Sequence, residues 1–195
     1  RRVRSVDAAT GVIAAAALNG DVRYAGDGGL HPQATLGEPM GVALDLAGNL
    51  YIGTGNRIRR VDAKSQLITT ATGTGHAGFA GDGGRATAAR LSYPNAVAID
   101  TTGDIFIADQ ANERIRRVDA SGTITTVAGN GEHEYSGDGG VATEASLRSP
   151  SSVAVDANGN LYFADTNNLR VRRVDTNGTI TTVAGNGVGG YSGDD

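Results

Sequence analysis

A tetrad, Gly-Asp-Gly-Gly, recurs at positions 26–29, 81–84 and 137–140, and Gly193-Asp194 begins a fourth copy. Its aspartates stand 55, 56 and 56 residues apart. A second, chemically unrelated marker keeps the same step. The aspartate that closes an arginine-rich motif falls at Asp7, Asp62, Asp119 and Asp175, spaced 55, 57 and 56. Two markers with one period define a structural repeat, and a repeat of this length belongs to solenoids, propellers or arrays.

Within one period the pattern is four short strands. In the last full copy, Val153–Val155 is an apolar run ending at Asp156, and Asp156-Ala157-Asn158-Gly159-Asn160 reads as a turn into Leu161–Ala164. Arg170–Val174 follows, then the turn Asp175-Thr176-Asn177-Gly178 and the β-branched stretch Thr179–Ala184. Each turn sets Asp first and Gly three positions on, so the carboxylate can accept a turn N–H and the glycine can take positive φ. The strands are apolar on both faces, as sheets sandwiched between neighbouring sheets must be. Four-stranded sheets repeated radially limit unpaired edges to short, protected ones. The expected fold is all-β: a β-propeller of four-stranded antiparallel blades.

Composition agrees. Thirty glycines, 5% aromatic residues and no tryptophan suit many short strands and turns. A net charge of −4 disfavours a nucleic-acid partner, which selects basic surfaces. The absence of cysteine excludes disulfides and thiolate metal sites but assigns no compartment. The longest apolar run, residues 12–18, is far short of the roughly 20 residues a membrane helix needs, so no membrane span is expected. The chain opens on Arg1-Arg2-Val3-Arg4, inside a repeat, which places any signal peptide upstream.

The string from Pro150 to Asp175, with Ser151-Ser152-Val153-Ala154-Val155-Asp156, Gly159-Asn160-Leu161-Tyr162-Phe163-Ala164-Asp165 and Arg170-Val171-Arg172-Arg173-Val174, resembles the NHL repeat. More narrowly it resembles the long-loop bacterial form, with Thr-Val-Ala-Gly-Asn-Gly followed by Ser-Gly-Asp-Gly-Gly. The resemblance spans essentially the whole chain. It implies a six-bladed ring on a secreted or cell-surface protein. The count gives about three and a half blades: a half-blade at 1–20 and blades at about 40–72, 95–129 and 151–185, joined by the long Gly-Asp-Gly-Gly loops. Propellers close with roughly four to eight blades, so the remaining blades are expected in the same chain or in another copy.

Candidate sites lie on the face where the long loops and the connections between second and third strands emerge, which often carries the ligand in the resembled family. The candidates are Asp109, Asn112, Asp165 and Asn168 in the connections, with Asp82 and Asp138 in the long loops. The bland reading of the connections is an Asx-type turn that stabilises its own backbone. In the first full blade Gly53-Thr54-Gly55-Asn56 is two residues shorter and lacks the aspartate, which points to a locally varied surface. In the long loops, Phe79 and Tyr135 with Leu91 and Leu147 are expected to plug the groove between blades. A glycine-rich loop with an aspartate can cradle phosphate or calcium. This one feeds no helix and has no lysine, and calcium needs several carboxylates close together where each loop repeats one.

The rows Arg57/Arg59/Arg60, Arg114/Arg116/Arg117 and Arg170/Arg172/Arg173 are interleaved with aliphatic residues and offer no aromatic stacking platform. They are assigned to packing and to ion pairs with the neighbouring blade's carboxylates rather than to RNA. His31 has no repeated counterpart. His76 and His133 fall near each other in the repeat frame and are the weak candidates for a shared metal such as zinc. No cofactor is predicted, and neither calcium nor zinc is supported by the residues.

The resulting expectation is a non-enzymatic scaffold presenting a loop-rich face to a protein or glycan. The first alternative is a propeller lyase or lactonase-like hydrolase with catalytic residues partly in other blades. The second is a structural or assembly element.

Overall fold

The computed structural model describes residues 3–17 and 24–190; the fourth tetrad at Gly193-Asp194 lies outside them. Strands β1 (Val3–Val6) and β2 (Ile13–Ala17) form an antiparallel pair, and β3 (Tyr24–Ala25) and β4 (Thr35–Leu36) a minimal one. Three four-stranded antiparallel meanders follow. The first is β5 (Pro39–Leu44), β6 (Leu50–Thr54), β7 (Arg57–Val61) and β8 (Ile68–Thr72). The second is β9 (Pro94–Ile99), β10 (Ile105–Asp109), β11 (Arg114–Val118) and β12 (Ile124–Ala128). The third is β13 (Pro150–Val155), β14 (Leu161–Asp165), β15 (Arg170–Val174) and β16 (Ile180–Ala184). These sheets and the leading pair make about three and a half blades of a β-propeller.

Turn chemistry sets the register of each sheet. Asp45 Oδ1 accepts the amides of Ala47 at 3.0 Å and Asn49 at 2.8 Å, and Asp156 Oδ1 accepts those of Asn158 and Asn160, both at 2.9 Å. Gly159 closes the latter turn at φ +86, the left-handed conformation that favours glycine. Between β7 and β8 no glycine is available, and Gln66 takes the positive φ instead.

Sheets pack face to face through apolar side chains. Phe106, Ala108, Ile115 and Ala128 of one sheet meet Leu161, Phe163, Val174 and Ile180 of the next, and Leu147 from the intervening loop is buried with them. Leu91 does the same one repeat earlier, so both leucines fill the groove as expected.

The tetrads have a structural task that the repeat alone does not reveal. Each lies along the outermost strand of the sheet that follows it. Gly83 N donates to Ile124 O at 2.8 Å and Ile124 N to Gly84 O at 3.0 Å; Gly139, Gly140 and Ile180 repeat this at 2.8 and 3.0 Å. The loops thereby satisfy backbone groups that an open edge would leave free.

Antiparallel connection fixes two faces. Turns between first and second strands and between third and fourth strands share one end of every sheet, the turn face. The connections between second and third strands and the exits of the fourth strands share the other end, the loop face.

Candidate functional site

The third strands read Arg-Ile-Arg-Arg-Val, Arg-Ile-Arg-Arg-Val and Arg-Val-Arg-Arg-Val, and their three arginines have three separate roles. The middle ones, Arg59, Arg116 and Arg172, are fully buried. Arg116 Nη1 lies 3.3 Å from Asp109 Oδ2 on β10, and Nη2 lies 2.6 Å from Asp82 Oδ1 in the preceding tetrad. Arg172 repeats this with Asp165 at 3.2 Å and Asp138 at 2.8 Å. A buried guanidinium needs such partners, because stripping water from an unpaired charge is costly. Thr126 Oγ1 secures the other oxygen of Asp82 at 2.7 Å, and Tyr135 Oη that of Asp138 at 2.8 Å. In the first meander Thr54 replaces the β10 aspartate and its hydroxyl donates to Leu36 O, while Arg59 pairs with Asp27 at 2.6 Å. The carboxylates therefore come from the same sheet and from its own leading loop, not from the neighbouring blade as the sequence suggested.

The outer arginines serve opposite faces. On the loop face, Arg114 donates to the carbonyls of Asn112 at 2.7 Å and Asn130 at 2.6 Å, and Arg170 to those of Asn168 at 2.9 Å and Asn186 at 2.8 Å. Gly131 makes room for this: it has φ +93, and a Cβ there would sit 2.4 Å from Arg114 Nη1. On the turn face, Arg60 reaches Asp62 at 2.9 Å, Arg117 reaches Asp104 at 2.6 Å and Arg173 reaches Asn160 at 2.6 Å.

The loop aromatics differ from expectation. Phe79 and Tyr135 do not plug the groove; they are 43% and 39% exposed and lie flat on the outer arginines. The Arg114 guanidinium is 3.8 Å from the Phe79 ring centroid, and that of Arg170 is 3.6 Å from Tyr135. A guanidinium whose edge is committed to carbonyls still has a weakly hydrated face, which an aromatic ring covers favourably. The rings' outer faces remain open to solvent, one blade step apart.

The six sequence candidates are ties within this lattice. Asp109 and Asp165 are wholly buried, and their Oδ1 atoms accept the amides of Ser92 and Arg148, both at 2.7 Å, just before the first strand of the same sheet. The connections are short 3-10 turns, Gln110–Asn112 and Thr166–Asn168, without a side-chain cap, so the Asx-turn reading is replaced by this longer reach. Asn112 joins Asp109 at 2.8 Å and Gly78 O at 2.9 Å; Asn168 joins Asp165 at 2.9 Å and Glu134 O at 2.8 Å. Burial drives the Asp109 carboxyl up to about 6 against the lowering by Asn112, Ser92 and Arg116. At Asp138 burial also pushes upward, but hydrogen bonds from Thr182 and Tyr135 and the Arg172 charge outweigh it, and the carboxyl falls below its usual range.

The histidines have different surroundings. His31 is buried, with Nε2 2.8 Å from Gln66 Oε1. His133 is exposed and its Nδ1 lies 3.0 Å from Glu113 Oε1. His76 is on the surface, and among the described residues no cluster of three or more His, Cys, Asp or Glu could hold a metal ion.

Sequence reasoning missed Glu113 and Tyr93. Glu113 is buried at a positive φ, and its Oε2 accepts the amide of Ser149, where the chain enters the next sheet. Burial raises its carboxyl above the usual range, opposed by the Ser149 amide and by His133. Asn56 has the same duty one seam earlier, accepting Tyr93 N at 3.4 Å and donating to Gly75 O at 3.2 Å. Tyr93 itself is half-exposed with φ +51, a conformation costing a non-glycine residue about 1–3 kcal/mol. Its place before Pro94 gave no signal of this, since a residue preceding proline ordinarily takes extended backbone. The loop face thus carries two aromatics seated on arginines, the exposed Tyr93 and the Glu113–His133 pair.

Comparison with known proteins places this architecture. Residues 74–136 and 130–188 match the family model described as the teneurin NHL domain. Teneurin-3 of Mus musculus is 33% identical over 161 residues, covering 75% of this chain and 6% of its own, and Teneurin-4 of Mus musculus is 31% identical over 175 residues, covering 82% and 6%. The chain therefore spans only a small part of the length of these relatives. Among solved structures, an auxiliary nutrient binding protein from Bacteroides ovatus superposes with a TM-score of 0.62 at 22% identity, covering 93% of this chain and 43% of that one. A protein of unknown function from Bacteroides thetaiotaomicron gives 0.59 at 22% identity over 76% and 36%.

Proposed function

Because the chain belongs to the teneurin NHL-domain family, we propose that it is a binding module, part of a propeller on a secreted or cell-surface protein, and that its loop face grips a protein partner. The observation that carries this reading is the pair of solvent-facing rings, Phe79 and Tyr135, clamped on Arg114 and Arg170. Aromatic side chains and arginine dominate the energetics of protein interfaces, and rings held in place lose little entropy on binding. The lattice beneath them keeps the surface from yielding. A glycan that stacks its apolar face on the same rings is the neighbouring possibility. Val171 and Val183 of the last sheet are exposed on a face equivalent to the one that buries Ile115, and we read it as the seat of a further blade of the same ring. The long-loop form keeps a bacterial host within the same proposal.

The test is a screen of the chain against cell-surface ectodomains and a glycan array, followed by affinities for wild type and Phe79→Ala/Tyr135→Ala. The reading expects at least tenfold weaker binding in the double variant, the usual scale for losing two interface anchors at about 1 kcal/mol or more each. One observation favours an enzymatic second reading, the Glu113–His133 pair with its raised carboxyl. Hydrolysis or lyase activity lost in Glu113→Gln and retained in Phe79→Ala/Tyr135→Ala is the result that would select it.

A further inference from the structure

The second meander departs from its neighbours on the turn face. In the first, Asp45 Oδ2 receives Asn49 Nδ2 at 2.7 Å and Tyr51 Oη at 3.5 Å; in the third, Asp156 Oδ2 receives Asn160 Nδ2 and Tyr162 Oη at the same distances. In the second, Asp104 and Phe106 stand where the asparagine and tyrosine would be. Both donors are gone. Asp100 Oδ1 still holds the turn through Thr102 N and Asp104 N, each at 2.9 Å, but Oδ2 has no hydrogen bond among the described residues. Asp104, nearly buried, is occupied by Arg117.

These exchanges border a groove of about 430 Å³ between the second and third meanders. Its floor is apolar, with Phe106, Leu161 and Val174, and its rim carries Asp100, Asp104, Asp175 and Arg117. Asp175 spends Oδ1 on Asn177 N and Thr179 N, both at 2.9 Å, and its Oδ2 likewise has no hydrogen bond among the described residues. Among the lining residues three carboxylates face one guanidinium, a net of two negative charges beside an apolar floor, and the nearby Arg173 is turned to Asn160. The complement of such a groove is a cation on an apolar stem. Bare metal ions want several oxygens around one point and gain nothing from Phe106 or Leu161, whereas a basic side chain satisfies both features.

We infer that this groove receives an arginine or lysine side chain of a partner polypeptide, its stem on Phe106 and Leu161 and its charged head between Asp100 and Asp175. The site lies on the face opposite the clamped aromatics and does not depend on them.

The test is an NMR titration of the ¹⁵N-labelled chain with the blocked peptide acetyl-Gly-Arg-Gly-amide, against its neutral citrulline counterpart. The amides of Asp100, Gly159 and Gly178 should shift with the arginine peptide and barely move with citrulline. The decisive variant is Asp104→Asn/Phe106→Tyr, which gives the second meander the residues that its neighbours already tolerate. It should fold at least as stably as wild type, return Asp100 to its internal network and bind at least about tenfold more weakly, while Asp100→Asn binds similarly weakly and Phe79→Ala/Tyr135→Ala binds unchanged. Equal shifts with citrulline, no shifts at the groove, or undiminished binding by Asp104→Asn/Phe106→Tyr and Asp100→Asn overturns the assignment.

Discussion

Replacing Asp109 by alanine isolates the tie on which the second meander depends. Asp109 and Arg116 are both wholly buried, 3.3 Å apart, and Asp109 also accepts the Ser92 amide at 2.7 Å. Removing one member of a buried pair costs about 3–5 kcal/mol, because the remaining charge keeps its desolvation penalty without its partner. Here Arg116 retains Asp82 at 2.6 Å, which offsets part of that cost, while the orphaned Ser92 N–H adds about 1–3 kcal/mol. The expected loss is about 3 kcal/mol, or a drop in melting temperature of about 6–12 °C for a chain of this size. Asp82→Ala is the internal comparison. Its carboxylate is 36% exposed, so solvent screening limits the expected loss to about 1 kcal/mol. Urea unfolding followed by far-UV circular dichroism reads both, with an unchanged slope confirming that the native state is intact. Equal losses in the two variants, or less than about 1 kcal/mol for Asp109→Ala, would refute the claim that the tie organises the sheet.

Other outcomes follow from the same geometry. Gly131→Ala combines φ +93 with a Cβ 2.4 Å from Arg114 Nη1, so it should displace the Phe79–Arg114 clamp and lower the unfolding free energy by about 2 kcal/mol; an unchanged melt would contradict the role given to that glycine. Gly159→Val places a β-branched residue at φ +86 and should cost about 1 kcal/mol or more in the same assay. The Asp109 carboxyl is raised to about 6 by burial against 3.8 unfolded, so the extra stability that its protonation supplies, on top of the ties to Arg116 and Ser92, is full below pH 3.8 and is lost as pH rises through about 6. That shift corresponds to at most about 3 kcal/mol, seen as a falling urea midpoint between pH 4 and 7 in wild type and absent in Asp109→Asn. A midpoint difference between the two proteins that does not change with pH counts against a raised carboxyl.

Much of the scaffold was legible because it rests on local chemistry. The Asp-to-Gly turns and the apolar strands they join need only a few consecutive residues, and Leu91 and Leu147 are core residues at a constant repeat position. Most of the ties were not. Arg116 takes one carboxylate from 7 positions before it and another from 34 positions before it, and nothing local links those three residues. The path of the tetrad along β12 is what brings Asp82 over Arg116, and the same path lays Phe79 on Arg114 rather than between sheets. Asp109 and Asp165 looked like surface ligands because carboxylates in connections usually face water; here the inward Arg116 and Arg172 reverse that. Glu113 was hidden by variation, since Asn56 and Leu169 hold the same place in the other repeats. The Asp104 and Phe106 exchanges were visible as departures from the repeat, but their consequence needed the groove beside them.

On the function proposed above, the buried polar lattice is fastening and recognition belongs to the aromatics clamped above it. The most direct measurement is the dissociation constant of one partner from the ectodomain screen for wild type, Phe79→Ala/Tyr135→Ala and Asp82→Ala, with melting temperatures recorded alongside. Binding should be at least about tenfold weaker in the aromatic variant with a melting change of a few degrees, and near wild type for Asp82→Ala despite its lower stability. Wild-type affinity in the aromatic variant, with binding lost only where Asp82 is replaced, would contradict that proposal.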